Sequence, residues 1–383
     1  MKRYDVVIVG GSCAGAAAGY LLAKAGKRVV IVDKAEFPRN KLCGGMLTEK
    51  TVGCLKEVYD DISFEEIIDE TFNTYGIYHS GIGKICRYSS PSPSLYLVDR
   101  EPFDHYFLQK AKSAGCAVFT GQNVVDVNGD GVLAESGERY DADYIIGADG
   151  CYSVVRKAMF PNGDRREAAL AIEVDLDLQD LTCYDDTAGI FPKIYFGYVN
   201  YGYAWVFPRK GSAIVGICGL INANNNMRDL LVTFLKTVLK PHRDPAHLAL
   251  RGFPIPFQNF LEKPAERNIF LLGDAAGLID PVTGEGICFA VLSGKLAAEA
   301  LCAAGDAADV YNALIRKKIH RPLKQGYFAR HFLYYRGFHD YAMYKMKQNA
   351  KYCKYSFDLL SGEIDYLRYG VRVLRDRIKY KSE

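Results

Sequence analysis

The chain has 383 residues, 48 Lys+Arg against 45 Asp+Glu, with 49% hydrophobic and 24% charged residues, the composition of an ordinary globular protein. That length suffices for two or three domains and a large buried cofactor, and a net charge of +3 excludes a nucleic-acid binder built on overall basicity. Every long apolar stretch is interrupted by charge, Lys24, Lys27 and Arg28 in the first and Lys295 and Glu299 in a later one, so no bilayer span is expected.

From the N-terminus, Met1-Lys2-Arg3-Tyr4-Asp5 runs directly into a predicted strand at 4–9, which leaves no room for a signal peptide. A helix at 14–25 and a strand at 28–33 follow. A helix is predicted over 102–114, then strands at 116–119 and 143–148. The segment 168–220 alternates apolar and polar residues, predicting strands at 168–176, 191–196, 203–208 and 213–219. Helix returns at 226–239, a strand at 268–272, a long helix from about 285 to 303, and mostly helix to the end. The eleven cysteines are dispersed and form no C-x-x-C pair, so neither a metal site nor a disulfide framework is signalled and a reducing, cytoplasmic location is expected.

Three motifs stand at strand ends. In Val6-Val7-Ile8-Val9-Gly10-Gly11-Ser12-Cys13-Ala14-Gly15 a buried strand feeds a glycine turn that opens a helix, aiming backbone N–H groups and the positive helix end at a pyrophosphate. Gly10 makes the turn, Gly15 lets helix and strand approach, and Ser12 stands where the fingerprint prefers a second glycine. Asp33, 18 residues after Gly15, ends the next strand where a carboxylate accepts ribose hydroxyls. The second motif, Asp143-Tyr144-Ile145-Ile146-Gly147-Ala148-Asp149-Gly150 with Ser153 and Arg156, reads equally well as turn chemistry. The third, Ile269-Phe270-Leu271-Leu272-Gly273-Asp274 followed by Pro281-Val282-Thr283-Gly284-Glu285-Gly286-Ile287, delivers an acid for a ribityl or ribose hydroxyl and a helix end that stabilises negative charge on a reduced flavin ring.

In this order and spacing the three motifs resemble the FAD-binding fold of the p-hydroxybenzoate hydroxylase superfamily. Phe37-Pro38-Arg39-Asn40-Lys41-Leu42-Cys43-Gly44-Gly45 is similar to the F-P-R-x-K-x-C-G-G signature of the geranylgeranyl reductase family. Tyr203-Ala204-Trp205-Val206-Phe207-Pro208-Arg209 is similar to that family's Y-x-W-x-F-P-K motif, with Arg for Lys, and Arg100-Glu101-Pro102-Phe103-Asp104 matches its R-x-x-F-D element. The resemblance covers about residues 4 to 305, and the remainder matches only in being helical. It implies an α/β fold: a Rossmann-like FAD-binding domain (1–165 plus 250–305), an inserted β-sheet substrate domain (166–249), and a helical, basic, Tyr-rich C-terminal region (306–383).

The activity implied is saturation of isolated C=C bonds in polyprenyl lipid chains by hydride from reduced flavin. Such alkenes offer no carbonyl to stabilise charge, so the site must be dry and closely fitted. By position, Gly10, Ser12, Ala14, Gly15, Asp33, Lys34, Arg100, Val124, Asp274, Gly284, Gly286 and Ile287 would line FAD, with Cys43, Gly44 and Met46 beside the flavin. Tyr203, Trp205 and Phe207 would wall the lipid cavity. Cys43 reads either as a catalytic thiol or as inert packing, Trp205 as a substrate wall or a core aromatic, and Lys34, Arg39 and Lys41 as phosphate neutralisers or solvated charges. No second Gly-rich βαβ unit serves NAD(P)H, so the electron donor stays open between NAD(P)H, ferredoxin and a reduced quinone. The rival on the same fold is a flavin monooxygenase of aromatic or isoprenoid molecules. A halogenase is disfavoured because the chain's single tryptophan cannot make W-x-W-x-I-P, and the dispersed cysteines disfavour an iron–sulfur quinone reductase. An FAD-binding module without activity remains a further alternative.

One asymmetry survives the averages. Residues 316–383 hold 17 Lys+Arg and 6 Asp+Glu, a net of +11 that leaves −8 for the rest of the chain, and ten of the 27 tyrosines lie between Tyr327 and Tyr380. Two readings stand: a solvated helical face over packed tyrosines, or a basic, aromatic surface for anionic lipid or a pyrophosphate headgroup.

Overall fold

The computed structural model describes residues 3–162, 168–184, 189–257 and 260–379, so the last four residues of the expected C-terminal helix lie outside it. Five strands form the parallel centre of the first sheet, in the order Ala117–Phe119, Val29–Val32, Tyr4–Val9, Arg139–Gly147, Ile269–Leu271. Where they pair, Val6–Val9, Val29–Val32, Ile145–Ile146 and Ile269–Leu271 are continuous apolar runs because helices cover the sheet. The sheet is extended by an antiparallel hairpin, Val124–Asn128 with Gly131–Ala134, and by the edge strand Ala265–Glu266. Helix Cys13–Lys24 packs on Arg100–Ser113 and on Ile287–Cys302. Its alanines make this possible: a Cβ on Gly294 would stand 2.5 Å from the Ala14 carbonyl, so the two helices touch almost backbone to backbone.

The second sheet has seven strands, in the order Arg251–Ile255, Ala169–Asp177, Ser212–Leu220, Gly202–Pro208, Lys193–Phe196, Thr74–His79, Gly83–Ser89. It therefore extends beyond 166–249, taking two strands from residues 74–89 and one from 251–255. Period-2 alternation divides its residues between two cores. Ala204, Val206, Val215 and Ile217 pack with Leu231, Phe234 and Leu235 of helix Met227–Val238, while Trp205, Phe207, Ile214 and Cys218 face the opposite side. A small third sheet, Met46–Thr48, Leu95–Leu97 and Glu70–Phe72, lies in the stretch where periodicity predicts nothing, because three-residue strands are too short to alternate visibly.

The C-terminal quarter is helical as expected: Ala307–Ile315, Arg321–Leu333, Arg336–Gln348, Ala350–Leu360 and Tyr366–Lys379. Helices Arg336–Gln348 and Ala350–Leu360 lie against strand Gly83–Ser89. There the expectation of a chain without disulfides is corrected, since Cys86 and Cys353 form one, 267 residues apart in sequence. Spacing rules see neighbouring cysteines and are blind to a pair brought together only by tertiary packing. Among the described residues no helix is long and apolar enough to cross a membrane.

Candidate active site

The carboxyl ends of the parallel strands open into one cleft, where ligands of such sheets bind. Its floor is the first glycine turn. Gly10 has φ +102°, and a Cβ there would stand 2.4 Å from the Ala148 carbonyl; a Cβ on Gly15 would stand 1.9 Å from the Gly10 carbonyl. Only glycine permits this closure, which brings Ser12 and Ala14 at the helix start onto the cleft wall. Asp33 is buried and accepts the Gly11 N–H (2.7 Å) and the Ala35 N–H (2.9 Å), so it holds the turn from the neighbouring strand.

Beside the helix end lies a compact charge cluster. Asp104 is fully buried and accepts from Arg100 at 2.9 Å, with Arg39 at 3.3 Å. Ser12 Oγ donates to Asp104 (2.8 Å) and receives Lys41 Nζ at 3.5 Å. Burial alone would raise the Asp104 carboxyl, but Arg100, Lys41 and Arg39 outweigh it and hold the group at about 2. Three cations thus face one carboxylate. The surplus positive charge at a helix N-terminus is the donor set a pyrophosphate requires, so these residues fit FAD. Burial, then Asp104, pushes the adjacent Cys13 thiol up to about 12, keeping it neutral.

The second motif does cap a helix: Asp149 Oδ2 accepts the Val154 N–H at 2.7 Å. Its buried Oδ1 has no partner, and the adjoining Ala148 and Gly150 line the cleft. The third motif is pinned from three sides. Asp280 accepts the Val282 and Thr283 amides (2.8 and 2.9 Å) and the Tyr366 hydroxyl (2.6 Å). Glu285 accepts Thr48 and Thr51 hydroxyls, both at 2.8 Å, and the Tyr203 hydroxyl donates to the Thr283 carbonyl. Gly286 then opens helix Ile287–Cys302 with no side-chain cap, and both Gly286 and Ile287 line the cleft.

The opposite wall comes from the seven-stranded sheet and the Cys43 loop. Trp205 and Phe207 are stacked (centroids 6.1 Å, 29°), and Tyr203 meets Trp205 edge-on at 6.0 Å. Gly216 on the next strand makes room for this wall, since a Cβ there would lie 2.4 Å from Trp205 Cζ2. Trp205 Nε1 is buried without a partner. The Gly44 backbone lies against the Phe207 ring, and the Cys43 thiol accepts the Gly45 N–H at 3.4 Å.

One residue here escaped the sequence reading. Glu173, 1% exposed, follows Ala169 and Ala171 on the cleft-facing side of its strand and pairs across the sheet with Gly216. Its Oε1 accepts the Cys43 N–H at 3.3 Å, Arg251 stands 3.8 Å away, and Oε2 has no partner. Burial raises its carboxyl above the usual range, with Arg251 opposing. The strand's face runs Ala169, Ala171, Glu173, Asp175, Asp177, so alternation reads Glu173 as the start of its polar end and gives no signal of a buried acid.

Tyr203 also belongs to a second cavity, lined almost wholly by apolar side chains of the sheet (Ile77, Ile194, Phe196) and the C-terminal helices (Leu333, Tyr334, Met343, Met346, Leu360). At its edge His79, His339 and Asp340 cluster. The Gly81 N–H donates to His79 Nδ1, which places the His79 proton on Nε2, 3.3 Å from Asp340.

Of the residues singled out in the sequence, the cleft unites Ser12, Ala14, Cys43, Gly44, Arg100 and Asp274 with Gly284, Gly286, Ile287, Tyr203, Trp205 and Phe207. Gly10, Gly15 and Asp33 shape the turn beneath it. Met46 lines the apolar cavity, Lys34 is exposed, and Val124 is buried in the core of the FAD-binding layer. Lys41 lines the cleft and Arg39 is paired with Asp104, so neither is a solvated charge.

Residues 3–190 match the FAD binding domain family. An uncharacterised protein of Methanosarcina barkeri is 30% identical, the match covering 87% of this chain and 84% of that protein. The chain belongs to the geranylgeranyl reductase family of FAD-dependent oxidoreductases. A menaquinone reductase of Mycolicibacterium smegmatis is 28% identical over 79% of this chain and 77% of its own. A digeranylgeranylglycerophospholipid reductase of Methanocaldococcus jannaschii is 26% identical over 77% and 76%. A geranylgeranyl bacteriochlorophyll reductase-like protein of Thermoplasma acidophilum has a solved structure that superposes with a TM-score of 0.74 at 25% identity, covering 88% of each chain. FAD is therefore the cofactor of this reductase-family chain, and the fold is the expected α/β arrangement with a helical C-terminal region.

Proposed function

We propose that this family member saturates isolated C=C bonds in polyprenyl chains of the geranylgeranyl type. The observation that carries the reading is Tyr203: its ring forms part of the flavin cleft wall and also part of the wall of the apolar cavity. A chain lying in that cavity passes the cleft at the Tyr203–Trp205–Phe207 surface.

The roles follow from chemistry. Arg100, Lys41 and the helix end at Ser12 bind the pyrophosphate, and Asp274 accepts a sugar-alcohol hydroxyl. Trp205 and Phe207 exclude water and hold the alkene flat, so that reacting atoms meet at close range. When bound and reduced, the cofactor supplies a hydride. Reduction also needs a proton at the second alkene carbon. We assign that role to Glu173, whose Oε2 is buried without a partner and whose carboxyl is raised above the usual range by burial. Cys43 bonds Glu173 through its backbone N–H and orients it.

The test is anaerobic. Dithionite-reduced protein is mixed with geranylgeranyl lipids and diphosphates, and products are read by mass spectrometry, which removes the identity of the natural electron donor from the question. A gain of two hydrogens per double bond supports the reading. Substrate-stimulated oxygen uptake with aromatic compounds, without saturation, overturns it.

A further inference from the structure

The helical layer over the apolar cavity has two unlike sides. Inward, Leu333, Tyr334, His339 and Met343 line the cavity. Outward, Phe328 and Phe332 stand four residues apart on one side of helix Arg321–Leu333, and Tyr335 caps the start of the next helix; each is 66% exposed. Phe338, Tyr341 and Tyr344 continue at spacings of three on the next helix and are also exposed. Helix Tyr366–Lys379, which packs against Arg321–Leu333, adds an exposed stripe of Leu367, Val371 and Leu374. Bare aromatics grouped in this way are unlike the isolated apolar residues of an ordinary surface.

Charge decides what covers this face. Lys317, Lys318, Arg321, Lys345, Arg368 and Arg375 are exposed, and no ion pair joins them to a carboxylate among the described residues. They belong to the segment that carries +11 while the rest of the chain carries −8. A second copy of this chain seated face to face would oppose like charge to like charge. An anionic bilayer instead complements the cations, repels the acidic remainder, and receives Phe and Tyr at headgroup depth.

We propose that the outer face of helices Arg321–Leu333 and Arg336–Gln348 docks on an anionic lipid surface, seating the cavity beneath it where a prenyl chain leaves the bilayer. The helices lie on the membrane, since none among the described residues is long and apolar enough to cross it. The part concerning the prenyl chain rests on the proposed function; the docking itself does not.

Flotation of the full-length, FAD-loaded protein tests it, with vesicles of phosphatidylcholine alone and with added phosphatidylglycerol. The wild type is expected to float with the anionic vesicles and to be released by high salt. The triple variant Phe328→Ser, Phe332→Ser, Tyr335→Ser is expected to lose at least about tenfold in partitioning, while its flavin content, Tm and turnover on detergent-dispersed substrate stay unchanged. Lys345→Gln with Arg368→Gln and Arg375→Gln should lower binding to anionic vesicles alone. A wild type that stays at the bottom, or a triple variant that floats as well as wild type, overturns the proposal. So does a wild-type dimer that the triple substitution converts to monomer, which would make the occupant a second copy. Lost flotation with turnover retained in detergent marks failure of docking alone. Absent turnover in detergent with flotation intact marks failure of the reductase reading alone.

Discussion

At Gly15 an added methyl group would stand 1.9 Å from a carbonyl oxygen, whereas Phe328, at the other end of the chain, touches so little that two-thirds of it faces solvent. The cofactor layer and the C-terminal helices differ throughout in this way. The first is held by backbone contacts that tolerate one residue type, and the second by an apolar inner face that many sequences would satisfy. A site that grips an invariant cofactor writes itself into short motifs. A surface that receives flexible chains is written only in composition and amphipathicity.

The most damaging way to break the comparison is at the turn. Gly15→Ala forces the first helix off its strand, and the expected result is protein without flavin, read as loss of the visible flavin absorbance, with a stability cost of about 3 kcal/mol or more. Stoichiometric FAD in that variant would place the pyrophosphate elsewhere. The same change at Gly370, half-buried on the last helix where a Cβ meets nothing within 4 Å, should leave flavin untouched.

Glu173→Gln is next in size. The amide keeps the bond from the Cys43 N–H and the shape of the wall but carries no acidic proton, so turnover should fall by about 100-fold with FAD retained. The pH profile separates this from a structural effect. Burial raises the Glu173 carboxyl, so the proton is present at low pH and lost as pH rises through the raised value. The raised value also makes the folded state slightly more stable below the ordinary carboxylate range, a contribution lost over the same rise. Wild-type turnover should therefore decline on the alkaline side, and the glutamine variant should lack that limb. An unchanged profile in the variant would remove Glu173 from the chemistry.

These two residues also mark how far the sequence could be read. Gly15 was legible because strand, turn and helix follow one another within ten residues, and the Asp33 carboxylate closes the same unit from the next strand. Trp205 and Phe207 were legible through family resemblance, and alternation alone then puts both on one face of the sheet. Glu173 was not, because its meaning depends on Gly216 and Cys43, 43 and 130 residues away. Met46, expected beside the flavin from the family resemblance, opens strand Met46–Thr48 and lines the apolar cavity. The Cys86–Cys353 pair was hidden for the same reason, and so was the place of the 74–89 hairpin in the second sheet, which it joins only through strand Lys193–Phe196 more than a hundred residues on.

Asp274→Ala removes one charged acceptor from a cleft that keeps its other contacts. The expected loss is about 1–3 kcal/mol of FAD affinity, a factor of roughly 10 to 100, measured by titrating the apoprotein. Full affinity in the variant would detach the third motif from the cofactor, leaving its loop held by Asp280 and Glu285 for the sake of the Tyr203 contact alone.

The smallest effect separates two meanings of one thiol. Cys43 lines the cleft, yet its bond to Glu173 is made by the backbone N–H, and its sulfur only accepts the Gly45 amide. Cys43→Ala keeps the first bond and removes the second, so FAD should stay bound and turnover should slow by several-fold, as Glu173 loses orientation but not its proton. Cys43→Ser, which restores an acceptor of similar size, should recover most of that loss. If alanine alone matches wild type, the thiol fills space beside Phe207 and the loop backbone does the positioning. If serine fails where alanine fails, the sulfur itself takes part in the reaction, and Glu173 no longer suffices as the chain's proton source.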